Sequence, residues 1–170
     1  MPETATKVMA DLKTAFAGES QANRKYTAWA KKAEEEGHKQ IARLFRATAE
    51  AETIHALGHF EAMGMVKSTK ENLGEAISGE TYEFQQMYPP MFDTAQKEGH
   101  PAKRMFYYAM KIEEYHANAY KKALESLEAG KDLEGSEVYL CPVCGHIHIG
   151  KPESKCPVCG AAPEKYKVYD

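Results

Sequence analysis

An acid followed three residues later by a histidine occurs twice at a fixed interval, and this repetition restricts the fold more than any other feature. Glu52-x-x-His55 and Glu113-x-x-His116 lie 61 positions apart, residue for residue. The same shift carries Gly18-Glu19 onto Gly79-Glu80. Residues three apart on a helix sit about 5–6 Å from each other on one face, so each pair aims an acid and an imidazole at one point. Each also continues an apolar stripe. Glu19 falls between Ala15 and Ala22, and Glu52 and His55 follow Phe45 and Thr48. Glu80 precedes Phe84 and Met87, while Glu113 and His116 interrupt Ile112 and Ala119. Four carboxylates in one dry layer repel, and burying an unpaired charge costs several kcal/mol. The arginines that might neutralise them, Arg43, Arg46 and Arg104, lie off the stripes. Cations remove the conflict. A single Glu-x-x-His in a glutamate-rich helix is ordinarily a solvated face. Two copies in phase, with two further glutamates, have the ligand arrangement of di-iron and di-manganese helical bundles.

The surrounding sequence supplies the helices. Residues from about 4 to 129 are dominated by Ala, Glu, Lys, Met and Gln, all compatible with helix. Four segments are expected: about 6–36, ended by Gly37; 38–63, ended by Gly64; 71–98, kinked at Pro89-Pro90; and 101–130, opened by Pro101. Tight "EGH" joints after the first and third make antiparallel neighbours, while the longer joint from 63 to about 70 suits a crossover. The expected fold is mainly α: a ferritin-like four-helix bundle with one long crossover. Its expected extent is residues 1–134.

One acid breaks the repeat. Glu83 lies on the face of Glu80, but its counterpart under the shift is Ala22. It reads either as a surface acid at the stripe edge or as an extra ligand that competes with His55. The second reading suits a metal that changes oxidation state, since hard ferric iron favours carboxylate and ferrous iron tolerates imidazole. Tyr26 and Tyr88 are spaced to hydrogen-bond ligand carboxylates, and equally to be core tyrosines. His59 reads as packing or solvent-facing, and His38 and His100 as surface residues at helix starts.

After Gly130 the composition changes. A polar linker leads to "CPVCG" at 141–145, repeated identically at 156–160. Residues 135–170 hold too few apolar residues for a core of their own and need a staple. Cys141, Cys144, Cys156 and Cys159 present four thiolates on two knuckle turns. This tetrahedral set accepts one iron or one zinc. His146 and His148 lie between the boxes and are surplus to a four-sulfur site.

A net charge of −3 and a pI near 6.2 argue against nucleic acid or an anionic membrane as partner. The N-terminus lacks the apolar stretch of a signal peptide. The expectation is a cytoplasmic protein.

The combination resembles rubrerythrin over about residues 5–170. "FAGESQANRKY" (16–26), "EAETIHA" (50–56), "GETYEFQQMYP" (79–89), "EEYHANAY" (113–120) and both cysteine boxes match that family's pattern in order. The resemblance implies a non-heme di-iron site held by Glu19, Glu52, His55, Glu80, Glu83, Glu113 and His116. In it Glu83 and His55 exchange on one iron, and Tyr26 and Tyr88 hydrogen-bond the ligands. It also implies a rubredoxin-type iron held by the four cysteines. The implied activity is reduction of hydrogen peroxide to water. Electrons would come through the four-cysteine centre from rubredoxin or an NAD(P)H-dependent reductase, for no nucleotide-binding fingerprint occurs in this chain. The alternative is a ferroxidase or iron-storage protein, which the helical part alone would permit. A helix of 26–31 residues spans roughly 40–50 Å. An annex hanging from the bundle's end would therefore lie far from its own metals. A head-to-tail homodimer, also implied by the resemblance, would bridge that distance.

Overall fold

Four long helical segments precede a small three-stranded sheet in the computed structural model, which describes residues 3–134 and 137–169. The boundary expected between 134 and 135 touches residues 135–136, outside the described residues. The helices are α1 (Glu3–Glu35), α2 (Lys39–Ala62), α3 (Thr69–Tyr82), α4 (Tyr88–Lys97) and α5 (Lys103–Glu128), with a π-helical turn at Glu83–Met87 between α3 and α4. The chain divides into two compact units, the first ending at Lys67 and the second beginning at Ser68.

In the first unit α1 and α2 form an antiparallel hairpin. Its seam is lined by small side chains: Ala30 and Ala33 from α1, and Ala42, Ala49 and Ala56, one per heptad, from α2. Ile41 and Leu44, expected in the core, are 49% and 65% exposed. Alanines let the two backbones approach, so the larger residues fall on the ligand-bearing face instead of the seam. One buried polar side chain crosses it. The Asn23 amide donates to the Ala49 carbonyl at 2.6 Å and to the Thr53 hydroxyl at 2.7 Å, while Arg24 donates to its oxygen. Asn23→Ala removes one buried and one half-buried bond about one turn from Glu19 and Glu52. It is expected to cost about 1–3 kcal/mol, measured by denaturant unfolding; an unchanged midpoint would deny the bonds any net value.

Helix ends follow one device. At α1, α2, α4 and α5 a glycine with positive φ, such as Gly37 (83°) or Gly99 (65°), closes the last turn. The next N–H then reaches back five residues, as in His38 to Ala33 at 2.8 Å and His100 to Ala95 at 2.9 Å. Helix α3 starts at Thr69, earlier than expected, because Ser68 and Glu71 form a reciprocal capping box. His100 has more than a surface role: its Nδ1 accepts from the Ala102 N–H at 3.1 Å at the start of α5.

The second unit holds α3 to α5 and the cysteine-bearing annex. There β1 (Val138–Leu140) pairs antiparallel with both β2 (Ile147–Ile149) and β3 (Lys167–Tyr169), in the order β2-β1-β3. The annex does not stand off from the metal-binding region. It packs against the middle of α5: a Cβ on Gly145 would lie 3.6 Å from Ile112, and His146 meets Tyr115 edge-on at 4.7 Å. Ile112 is 2% exposed. The apolar patch missing from the annex is supplied by α5, which a strip of local sequence could not reveal.

Candidate metal centres

Each half of the duplication converges on a point. Ligand atoms of Glu19, Glu52 and His55 lie within 4.8 Å of one another in the first unit, and those of Glu80, Glu113 and His116 do the same in the second. In the first set His55 Nδ1 is 3.1 Å from Glu52. A hydrogen bond with Glu52 holds the Glu19 carboxyl above its ordinary value, and the same bond, with one to His55, holds Glu52 below. His59, expected to be uninvolved, lies within electrostatic reach of Glu19.

The second set is tighter. His116 Nδ1 lies 2.8 Å from Glu113 and 3.6 Å from Glu80, and its Nε2 lies 3.0 Å from the Gly145 carbonyl. The His116 side chain is 19% exposed against 55% for His55, because the annex covers it. An imidazole with one nitrogen among carboxylates and the other donating to a backbone carbonyl has the usual disposition of a metal-bound histidine. Burial, then the charge of Glu113, push the Glu80 carboxyl up to about 7. Burial lowers His116, but its bonds to Glu113 and Gly145 outweigh this and leave it raised.

The two raised groups of the second set act in the same direction in the metal-free protein. Between the ordinary 4.5 and about 7 the folded chain binds more protons at Glu80 than the unfolded chain does, so stability falls as pH rises through that window. The raised His116 adds to the fall above 6.5. The lowered Glu52 acts only below 4.5. Below pH 6, where the depressed Cys156 thiol does not yet titrate, the metal-free protein is therefore expected to melt lower near pH 6 than near pH 4.5. Metal loading should reverse the trend, because bound cations displace those protons. A metal-free melting point rising across that range would contradict it.

Glu83 is not among the converged atoms, yet the Glu113 charge acts on it, and burial above all raises its carboxyl. It opens the π turn, in which the Tyr88 N–H reaches the Glu83 carbonyl. The expected kink at the prolines is thus a wide turn before them. Pro89 and Pro90 have no N–H for the carbonyls of Gln85 and Gln86, and the ladder re-forms one residue wider. This extra residue can be counted. Tyr26 and Tyr88 are 62 apart, as are the "EGH" turns at 36–38 and 98–100, and the count returns to 61 at Glu113. Burial and the charges of Glu83, Glu113 and Glu80 hold the Tyr88 phenol above its ordinary value, which places it beside those acids. Tyr26 instead packs its ring against Trp29 and Phe45.

In the annex each knuckle closes with a glycine N–H on the first cysteine's carbonyl, Gly145 to Cys141 at 3.0 Å and Gly160 to Cys156 at 2.9 Å. All four Sγ atoms lie within 4.8 Å of one another, and the pairs Cys141–Cys159 and Cys144–Cys156 are 3.5 Å apart. A tetrahedral metal with sulfur at about 2.3 Å fits such a set. Burial raises the Cys156 thiol, but hydrogen bonds from backbone and from Tyr166 outweigh it and bring it down to about 6. That sulfur is a thiolate at neutral pH, ready for a cation. Burial pushes Cys144 up. His146 and His148 stay outside the four-sulfur set.

Paired glutamate–histidine sets on long helices, followed by a four-thiolate knuckle fold, define a helical di-metal protein with an appended four-cysteine metal site. The family model for rubrerythrin matches residues 11–124, and that for the rubrerythrin rubredoxin-like domain matches 139–167. The chain belongs to the rubrerythrin family. It is 36% identical to rubrerythrin-2 of Clostridium acetobutylicum, over 93% of this chain and 94% of the relative. It is 40% identical to nigerythrin of Nitratidesulfovibrio vulgaris, over 94% and 85%. A solved structure of nigerythrin in a mixed-valence state matches with a TM-score of 0.56 at 38% identity, over 95% of this chain and 86% of that one. A di-iron site in the helical region and a four-cysteine site in the annex follow from this membership and the two kinds of ligand cluster. No helix among the described residues is long and apolar enough to cross a membrane.

Proposed function

We propose that the protein is a non-heme di-iron peroxidase, reducing hydrogen peroxide to water with electrons that arrive through an iron at the four cysteines. The observation that carries this reading is the double engagement of His116. One nitrogen sits among Glu80 and Glu113, and the other bonds the carbonyl of Gly145, the residue after Cys144. A storage protein has no use for that link.

Both three-residue sets are proposed as ligands of the di-iron site that family membership implies. Glu19, Glu52, Glu80 and Glu113 neutralise the cations, and His55 and His116 supply the nitrogens. Glu83 is the seventh ligand and exchanges with His55, and the π turn supports this by giving Glu83 a wider, less constrained backbone. Tyr88 donates its phenolic proton to a ligand carboxylate, and Tyr26 is proposed for the same role on its side. When bound, the two irons supply the two electrons that cleave the O–O bond of peroxide. Through Gly145, a peptide and one hydrogen bond join Cys144 to His116. The distance that required a partner's annex is therefore absent at this half-site. A head-to-tail homodimer is retained on other grounds: Trp29, Ile41 and Leu44 leave an apolar face that a second copy can cover. Rubredoxin or an NAD(P)H-dependent reductase is the proposed donor. The four unpaired cysteines suit the reducing cytoplasm.

Anaerobic stopped flow of the fully reduced, iron-loaded chain provides the test. Oxidation by hydrogen peroxide is expected to outrun oxidation by O₂ by roughly 100-fold or more, about 3 kcal/mol of barrier. Faster oxidation by O₂, followed by iron accumulation, would favour ferroxidase chemistry instead.

A further inference from the structure

We infer that each di-iron centre is shared between two copies of the chain, with Glu19, Glu52 and His55 supplied by one copy and Glu80, Glu113 and His116 by the other. The inference deepens the reading proposed above and rests on it, because it takes both ligand sets to hold one di-iron site.

The joint between the two ligand-bearing halves is the deciding feature. Helix α2 ends at Ala62 and α3 begins at Thr69, so six residues connect them. Both ends of this joint are committed. Gly64 turns with φ 67°, and the Met65 N–H reaches back to the Phe60 carbonyl at 3.3 Å. Ser68 is held in the capping box of α3. Even pulled straight, the chain from Ala62 to Thr69 covers only roughly 25 Å.

The ligands demand more. A ferritin-like bundle has one long crossover because its second and third helices run in the same direction. Glu52 precedes the end of α2 by ten residues, and Glu80 follows the start of α3 by eleven. At the rise of an α-helix these depths are about 15 Å and about 16 Å. A chain that placed both glutamates in its own ligand layer would have to return about 31 Å along the bundle and step sideways by a helix spacing of about 8–10 Å, a path of roughly 32 Å. Measured from His55 instead, the path is still about 28 Å. The joint is too short for either. It carries α3 onward instead, out of the bundle that α2 serves and into a second one. Two chains related by a two-fold axis then complete both bundles by exchanging identical halves, a low-cost route to a dimer.

The first unit bears the mark of a missing half. Among its described residues the buried side chains are Asn23 and five alanines, and nothing larger. Trp29, Ile41 and Leu44 stay 48%, 49% and 65% exposed. Two helices on an alanine seam have too little core to stand alone, so the ligand-bearing face needs a cover. The length of the joint says which: α3 to α5 of a second copy, which carry the matching glutamate–histidine set.

Complementation between two broken chains provides the test. Glu52→Ala and Glu113→Ala are coexpressed with different affinity tags, and only dimers holding one of each are kept. In an exchanged pair one centre carries both substitutions and the other carries neither. Mössbauer spectroscopy, which separates helical iron from four-sulfur iron, is expected to find roughly half of the parent's helical iron in the mixed dimer and next to none in either variant alone. Mixed dimers no richer in helical iron than the single variants, or no mixed dimers at all, would overturn the exchange. If each single variant loses only the iron of its own set, the two sets are separate sites, and the shared-site reading falls together with the inference. Restored iron without peroxide reduction would defeat the peroxidase reading alone. Should either variant fail to fold, a longer joint decides. About twelve Gly and Ser residues inserted after Val66 more than double its reach, and sedimentation is expected to find monomers that keep their helical iron. A lengthened chain that stays wholly dimeric, or a parent chain that is monomeric with that iron complete, overturns the proposal.

Discussion

Cys156→Ala is expected to unfold the annex and stop peroxide turnover driven through it. Three strands of three residues cannot hold a fold alone, and a structural tetrathiolate metal supplies on the order of 10–16 kcal/mol of folding free energy. Loss of one thiolate, the one already ionised by its surroundings, removes most of it. The effect should not stop there. With the annex unfolded, the Gly145 carbonyl no longer holds His116 Nε2, now 3.0 Å away. Loss of such a partner weakens metal binding by about 10–100-fold. Limited proteolysis should cut within 137–169. Stopped flow of the chemically reduced protein should still show one round of peroxide reduction once iron is in excess. An annex that stays protease-resistant, with steady-state turnover intact, would refute the stapling argument.

Glu113→Ala should be the most damaging change in the helical region. Its carboxylate lies 2.8 Å from His116, and its charge raises Glu80, Glu83 and Tyr88. Removing it deletes a proposed ligand and leaves His116 without its nearest acid. Iron affinity at the second set should fall by more than the roughly 100-fold upper range for an outer partner, and peroxide reduction should vanish with it. The metal-free variant should behave in the opposite sense. Without that neighbouring charge Glu80 drops back toward 4.5, and the loss of stability between pH 4.5 and 7 flattens. Calorimetry across pH together with iron titration separates the two effects. Full iron binding, or an unchanged pH profile, would contradict the assignment.

How much of this was legible depended on how local the signal was. The convergence of Glu19, Glu52 and His55, and of Glu80, Glu113 and His116, was legible because a duplication marks each set, and that of the cysteines because their boxes are identical. Helix ends at Gly37, Gly64, Gly99 and Gly130 were readable because positive φ favours glycine. Ser68-x-x-Glu71 was legible as a capping box but passed over. The π turn was hidden by its own cause: the proline pair drew attention to itself, while the widening lies before it. The 62-residue spacing of Tyr26 and Tyr88 would have betrayed it. Asn23, Ala42 and Ala49 gave no signal, since only the close approach of two helices makes them matter. The docking of Gly145 on Ile112 likewise joins distant parts of the chain, with no periodicity or motif to announce it.

The inserted residue at Glu83–Met87 also bears on descent. An added residue in a helix rotates everything beyond it by about 100°, and the chain carries that offset through the next turn before cancelling it ahead of Glu113. The two halves are therefore relatives that have lost their interchangeability: the first copy has no widened turn and no acid at Ala22. Whatever symmetry once related the two halves, the present chain carries a plain helix in one and a widened turn in the other, the difference written into a single extra peptide unit.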